Sequence, residues 1–114
     1  MNADKQDQLE INEENFGAEV LESKLPVIVA FLAPWSRACQ IIQPVLAEVE
    51  ATCAGNSKVL RINADAHPTL GLWYEVQSVP TVFCFVNGKV CLRIVGTATA
   101  EAILSKIRPF MEIR

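Results

Sequence analysis

A single histidine and four scattered cysteines give a metal ion little to hold. No two of these residues stand at ligand spacing, so a structural or catalytic metal is not expected. The cysteines (Cys39, Cys53, Cys84 and Cys91) are also too few and too dispersed for a disulfide scaffold. A 114-residue chain with 51% hydrophobic residues can build one real core without such staples, and a reducing cytoplasm is the expected location. No apolar run approaches the ~20 residues of a membrane span. The polar, acidic start MNADKQDQLEIN is unlike a secretory leader. Basic clusters are missing and the net charge is -3, so neither nucleic acid nor an anionic membrane is an expected partner. Repeats, linkers and low-complexity segments are absent. The reading is one domain over residues 1–114, with 1–8 as a polar arm.

What is present is an alternation of apolar runs with helical periodicity. Leu9 and Ile11 alternate with polar neighbours, which predicts a short edge strand from Gln8 to Ile11. Asn12 is placed to cap a helix from Glu13 to Glu22, with Phe16, Val20 and Leu21 as its apolar stripe. Val27 to Leu32 is apolar throughout, as a strand covered on both faces must be. A helix from Ser36 to Thr52 follows, with Ile41, Ile42, Val45, Leu46 and Val49 at helical spacing and Pro44 as an internal kink. Lys58 to Asn63 reads as a strand, and Pro68 opens a short helix through Tyr74. Thr81 to Val86 and Lys89 to Val95 flank Asn87-Gly88, the strongest local hairpin signal. A last amphipathic helix runs from Thr99 to Met111. The order β-α-β-α-β-α-β-β-α predicts a central mixed sheet with helices on both faces.

The stretch from Val27 to Glu50, VIVAFLAPWSRACQIIQPVLAEVE, concentrates the chemistry. A strand runs through Ala33-Pro34-Trp35 into a helix whose first turn carries Cys39, a common way of presenting sulfur. Ser36 is read as the N-cap, its oxygen accepting the Cys39 N–H. As a nucleophile it would need a base within hydrogen-bond reach. The only histidine, His67, is expected to cap or to lie on the surface, with no role here. A two-residue turn at Asn87-Gly88 would set Val86 opposite Lys89, Phe85 opposite Val90, and Cys84 opposite Cys91. That register suggests a cross-strand disulfide as the alternative to two reduced core or near-core thiols. Cys53, near a helix end, is expected to be structural or semi-exposed.

These residues resemble the thioredoxin family, over nearly the whole chain from Leu9 to Phe110. Ala33-Pro34-Trp35-Ser36-Arg37-Ala38-Cys39 is similar to the stretch carrying that family's Trp-Cys-Gly-Pro-Cys signature. Pro44 matches its helix-kinking proline, Val79-Pro80-Thr81 its cis-proline loop, Asn87-Gly88 its hairpin and Val95-Gly96 its apolar-glycine step. The resemblance implies the thioredoxin fold, a cis Val79–Pro80 bond, and a groove for extended client peptides. Trp35, Arg37, Ala38, Ala64, Val79, Pro80, Val95 and Gly96 would line that groove. Trp73 either adds exposed apolar surface or packs locally. The departures are Ser36 for the nucleophilic cysteine, Arg37-Ala38 for Gly-Pro, and Ala30 for a buried aspartate. Arg61 falls at the position of that aspartate's lysine partner.

Ser36 and Cys39 cannot cycle as a dithiol pair, because a hydroxyl neither ionises usefully nor forms a disulfide. Helix position, Arg37 and the missing carboxylate favour a thiolate at Cys39, whereas the shielded place of the second cysteine opposes attack. The function expected is binding of extended protein clients, with monothiol exchange at Cys39 involving a client or a small thiol such as glutathione. A conventional protein-disulfide reductase and a non-catalytic, chaperone-like or scaffold domain are the alternatives. No cofactor is expected.

Overall fold

A computed structural model describes residues 10–111. Four strands form one mixed sheet in the order β2-β1-β3-β4. They are β1 (Val27–Leu32), β2 (Lys58–Asn63), β3 (Thr81–Val86) and β4 (Lys89–Val95). The helices are α1 (Arg37–Thr52), α2 (Pro68–Trp73) and α3 (Ala100–Met111), preceded by a π-helix at Gly17–Leu21. β1 pairs in parallel with β2 and antiparallel with β3, which pairs antiparallel with β4. Most of the expected Gln8–Ile11 strand lies outside the described residues; Ile11 is buried but belongs to no strand.

Alternation along β1 divides the core in two. Ile28, Ala30 and Leu32 join Val82 and Cys84 of β3 on the face covered by α1 and α3, where Ile42, Leu46, Val49, Ile103 and Ile107 meet them. Val27, Val29 and Phe31 join Phe83 and Phe85 on the other face, beneath Phe16, Val20 and Leu70. Edge-to-face contacts link Phe31 to Phe83 at 5.6 Å and Phe16 to Phe85 at 5.8 Å. Each buried side chain of this size contributes about 1.5–3 kcal/mol, so both faces of β1 resist exposure.

The first helical segment departs from its expected form. Asn12 Oδ1 accepts the N–H groups of Glu14 and Asn15 at 2.8 and 3.0 Å, as a cap should. The following turn is wide, however: Glu22 N–H reaches back five residues to Gly17 O at 2.9 Å. Phe16 and Val20 stay in the core, but the wider turn rotates Leu21 out to the surface.

The second departure concerns the hairpin. Asn87 and Gly88 both have positive φ, 54° and 79°, as a two-residue turn of this hand requires. Val86 faces Lys89 and Phe85 faces Val90, but Cys84 then faces Leu92, not Cys91. A β-bulge inserts one residue and moves Cys91 out of register, leaving all four cysteines as free thiols. The bulge has a physical cause. Without it, Arg93 would point into the apolar α1–α3 face. With it, Leu92 and Ile94 pack there instead. Arg93 now lies over the Phe83 ring at 5.1 Å and donates to Tyr74 O and Glu75 O at 2.9 and 2.6 Å.

Gly88 seats the hairpin against the π-helix, and a Cβ there would stand 2.9 Å from Leu21 O at an unfavourable φ. Gly88→Ala is therefore expected to cost about 1–3 kcal/mol. A urea midpoint equal to that of the parent protein would count against this packing.

Candidate functional site

The sheet register brings the singled-out residues to one end. Phe31 pairs with Thr81 and Thr81 with Val95, while Leu32 pairs with Asn63. The turn 33–36, the β2–α2 loop, the Val79-Pro80 loop and Val95-Gly96 therefore leave the sheet at the same edge. In open α/β sheets, ligands meet the carboxyl ends of the parallel strands, and this is that end.

Ser36 is the N-cap of α1, with extended backbone, and its Oγ accepts Cys39 N–H at 3.2 Å. The local sequence explains the geometry, because a hydroxyl satisfies a first-turn donor that otherwise has no partner within the helix. Cys39 lies one turn in and is only 3% exposed. Its sulfur accepts the Ala33 N–H at 3.4 Å, so the turn folds over the thiol. Ala30 lies in the same apolar cluster as Cys39. Arg61, paired in register with Ala30, sends its guanidinium to Gln43 Oε1 and Glu50 Oε1 on α1 at 3.2 and 3.3 Å.

Around these atoms the surface is apolar and open. Trp35 is 70% exposed, and Pro34, Ile41 and Val95 are exposed as well. The Trp35 ring does not hang free: its Nε1–H donates to Asp65 Oδ2 at 2.7 Å. Asp65 was not among the residues expected from sequence. Its carboxylate is 30 positions from Trp35 along the chain, and no local pattern connects them. Ala64 N–H donates to Leu32 O at 2.8 Å, tying that loop to the end of β1.

The Val79–Pro80 peptide bond is cis. Gly96 N–H donates to Pro80 O at 2.9 Å, and Gly96 has φ +90°, a conformation that suits glycine. Thr81 Oγ1 donates to Ser78 O at 2.7 Å, closing the loop before the strand. Val79 packs against both halves of the core. Arg37 is exposed and Ala38 half-buried. Trp73 is also exposed, as is Leu72 next to it, which sequence reasoning did not single out. A cavity of about 830 Å³ runs along the outer edge of β2, bordered by Pro34, Lys58 and Arg61; Cys39 and Pro80 do not line it.

The thioredoxin family model matches residues 7–109. The chain belongs to the thioredoxin family. A chloroplastic M-type thioredoxin of Chlamydomonas reinhardtii is 34% identical over 101 residues, covering 89% of this chain and 72% of that protein. A thioredoxin of Synechocystis sp. is 30% identical over 102 residues, covering 90% and 95%. One from Rickettsia felis is 38% identical over 97 residues, covering 85% and 92%. Relatives of this family thus include chloroplast proteins, and membership alone does not assign the cytoplasmic location expected from the sequence. No helix among the described residues is long and apolar enough to cross a membrane.

The remaining thiols sit apart from this end of the family fold. Cys53 closes α1 at its far end, and Cys84 lies mid-strand in β3. Burial pushes the Cys84 thiol up to about 11, with Cys91 and Cys53 adding to the effect. Cys91 is exposed on β4. Iodoacetamide at about pH 8 is accordingly expected to modify Cys91 first and to spare Cys84 until the protein unfolds. Early alkylation of Cys84, read by peptide mass, would contradict the closed β3–β4 pairing. Ser36→Ala removes the cap and is expected to cost about 1 kcal/mol in urea unfolding, with the fold retained.

Proposed function

We propose that this chain is a client-binding member of the thioredoxin family that cannot run the dithiol cycle alone. The observation that carries the reading is the atom at the tip of α1. Where the family pattern has its nucleophilic sulfur, this chain has Ser36 Oγ, occupied in capping Cys39 N–H. Dithiol exchange needs an exposed thiolate to attack and a second thiol to release the mixed disulfide, and a serine oxygen does neither. Neither Cys53 nor Cys84 substitutes for it. Cys53 is about 20 Å from Cys39 at the ~1.5 Å rise of a helix. Cys84 is buried, and its raised value keeps it protonated at neutral pH.

Binding has better support than redox turnover. Trp35 and Val95 present apolar surface at the sheet end that also carries the cis Val79-Pro80 loop, a combination that suits an extended peptide held by main-chain pairing. Arg37, Ala38, Ala64 and Gly96 complete the proposed groove. None of this recognition requires sulfur at position 36. Four free thiols favour a reducing compartment, the cytoplasm being the simplest.

Cys39 acts in this reading as a monothiol toward a small disulfide. Its thiolate attacks one sulfur of glutathione disulfide, that S–S bond breaks, and one glutathione thiolate leaves. An external thiol later releases the adduct. The burial of Cys39 favours a second reading, in which the thiol is packing only.

An insulin-reduction assay with a thioredoxin reductase is expected to give no turnover; robust turnover would overturn the main reading in favour of a conventional reductase. Ser36→Cys is expected to gain activity if the groove is intact. Incubation of the folded protein with glutathione disulfide, followed by peptide mass mapping, separates the two roles of Cys39. An adduct at Cys39 supports the monothiol, and its absence while Cys91 is modified leaves Cys39 as packing.

A further inference from the structure

The only histidine of the chain lies between two carboxylates. His67 Nδ1 is 3.0 Å from Glu13 Oε1, and its Nε2 is 3.3 Å from Glu10 Oε2. The His67 side chain is only 15% exposed, although Glu10 is 75% exposed and Glu13 36%. A neutral imidazole has one N–H and one lone pair, so it can donate to only one of these partners. A protonated ring donates to both. The arrangement is therefore complete only in the cationic state.

His67 also terminates the loop that holds Trp35. Asn63 Oδ1 accepts the N–H groups of Asp65 and Ala66 at 3.0 and 3.2 Å, and His67 N–H donates to Asn63 O at 3.1 Å. Residues 63–67 thus form one hydrogen-bonded unit. Asp65, in its middle, accepts the Trp35 indole N–H at 2.7 Å. Glu10 and Glu13, on the segment before the π-helix, pull on the ring at one end of this unit. Trp35 depends on the carboxylate at its centre. Among the described residues, the charged groups facing the imidazole are Glu10 and Glu13; on its own loop, the Asp65 carboxylate is engaged by Trp35.

We propose that His67, through Glu10 and Glu13, is a proton-operated latch that sets the order of the 63–67 loop and so the position of Trp35. His67 is a positioning residue in this scheme, acting through Asp65. The inference rests on the geometry around Trp35 and stands whether or not the chain binds clients.

The direction of the pH effect follows from the ring's surroundings. Burial lowers the His67 value, while the hydrogen bonds and charges of Glu10 and Glu13 raise it, and the net direction is upward from 6.5. The folded-state value lies above the unfolded one. The latch therefore stabilises the fold fully below 6.5, and this contribution is lost as pH rises through the raised value. Glu13 is the nearer and less exposed of the two carboxylates, and both raise the value.

Nuclear magnetic resonance tests the latch directly, since one histidine gives one set of imidazole signals. Two tryptophans give two indole N–H cross-peaks, which Trp73→Phe distinguishes. Titration from about pH 5 to pH 9 is expected to show a His67 midpoint above 6.5, with the Trp35 indole peak moving at the same midpoint. Glu13→Gln is expected to lower both midpoints together toward 6.5, and His67→Asn to abolish the Trp35 titration while leaving the protein folded. The proposal is overturned by a midpoint at or below 6.5. A Trp35 peak that stays flat while His67 titrates would overturn it equally.

Discussion

Strand β1 is hydrogen-bonded along both edges and covered on both faces. Its even residues lie under α1 and α3 and its odd residues under the aromatic cluster, so a slip of one residue would exchange two complete sets of core contacts. The cost of such a slip exceeds the few kcal/mol by which a domain is stable. With β1 held in phase, the positions of β2 and β3 follow from their pairing. The turn after Leu32 is then delivered to a fixed place at the end of the sheet. Everything read as a functional site, from Trp35 to Cys39, depends on that delivery.

The same demand for phase accounts for the bulge in β4. A simple two-residue hairpin would have continued the pairing through Cys84 and Cys91, and would have sent Arg93 into the apolar face. One inserted residue brings Leu92 and Ile94 into that face and gives Arg93 two carbonyl acceptors and an aromatic ring. Losing one regular ladder step costs less than burying an unpaired guanidinium. The arginine, in turn, ties β4 to the end of α2, which leads into the Val79-Pro80 loop.

At the tip of α1 the atoms are locally satisfied. Ser36 caps the helix, Cys39 accepts a backbone N–H, and Trp35 is fastened by Asp65. At the position that the family pattern gives to an attacking sulfur, Ser36 Oγ caps the helix. The fold thus keeps Trp35 and Val95 exposed beside a buried Cys39.

All four described strands and the three α-helices were legible in the chain, because each carries its own periodicity of two or 3.6 and its own punctuation. Asn87-Gly88 marked the turn, Pro68 the start of α2, and Ser36 the cap of α1. The π-helix was not legible, since Phe16, Val20 and Leu21 fit an ordinary helical stripe equally well and only contact with the core chooses among them. Asp65 and the His67 latch were invisible for a different reason: their partners lie 30 to 57 positions away, beyond the reach of any local pattern. The register of Cys84 was misread because a bulge is decided across strands, by where Arg93 can and cannot go. Local sequence determined which segments would be strands and helices, and that position 36 would carry no thiol. Tertiary packing decided which of those residues would meet, because long-range contacts are selected by the phase of buried faces and not by neighbours along the chain.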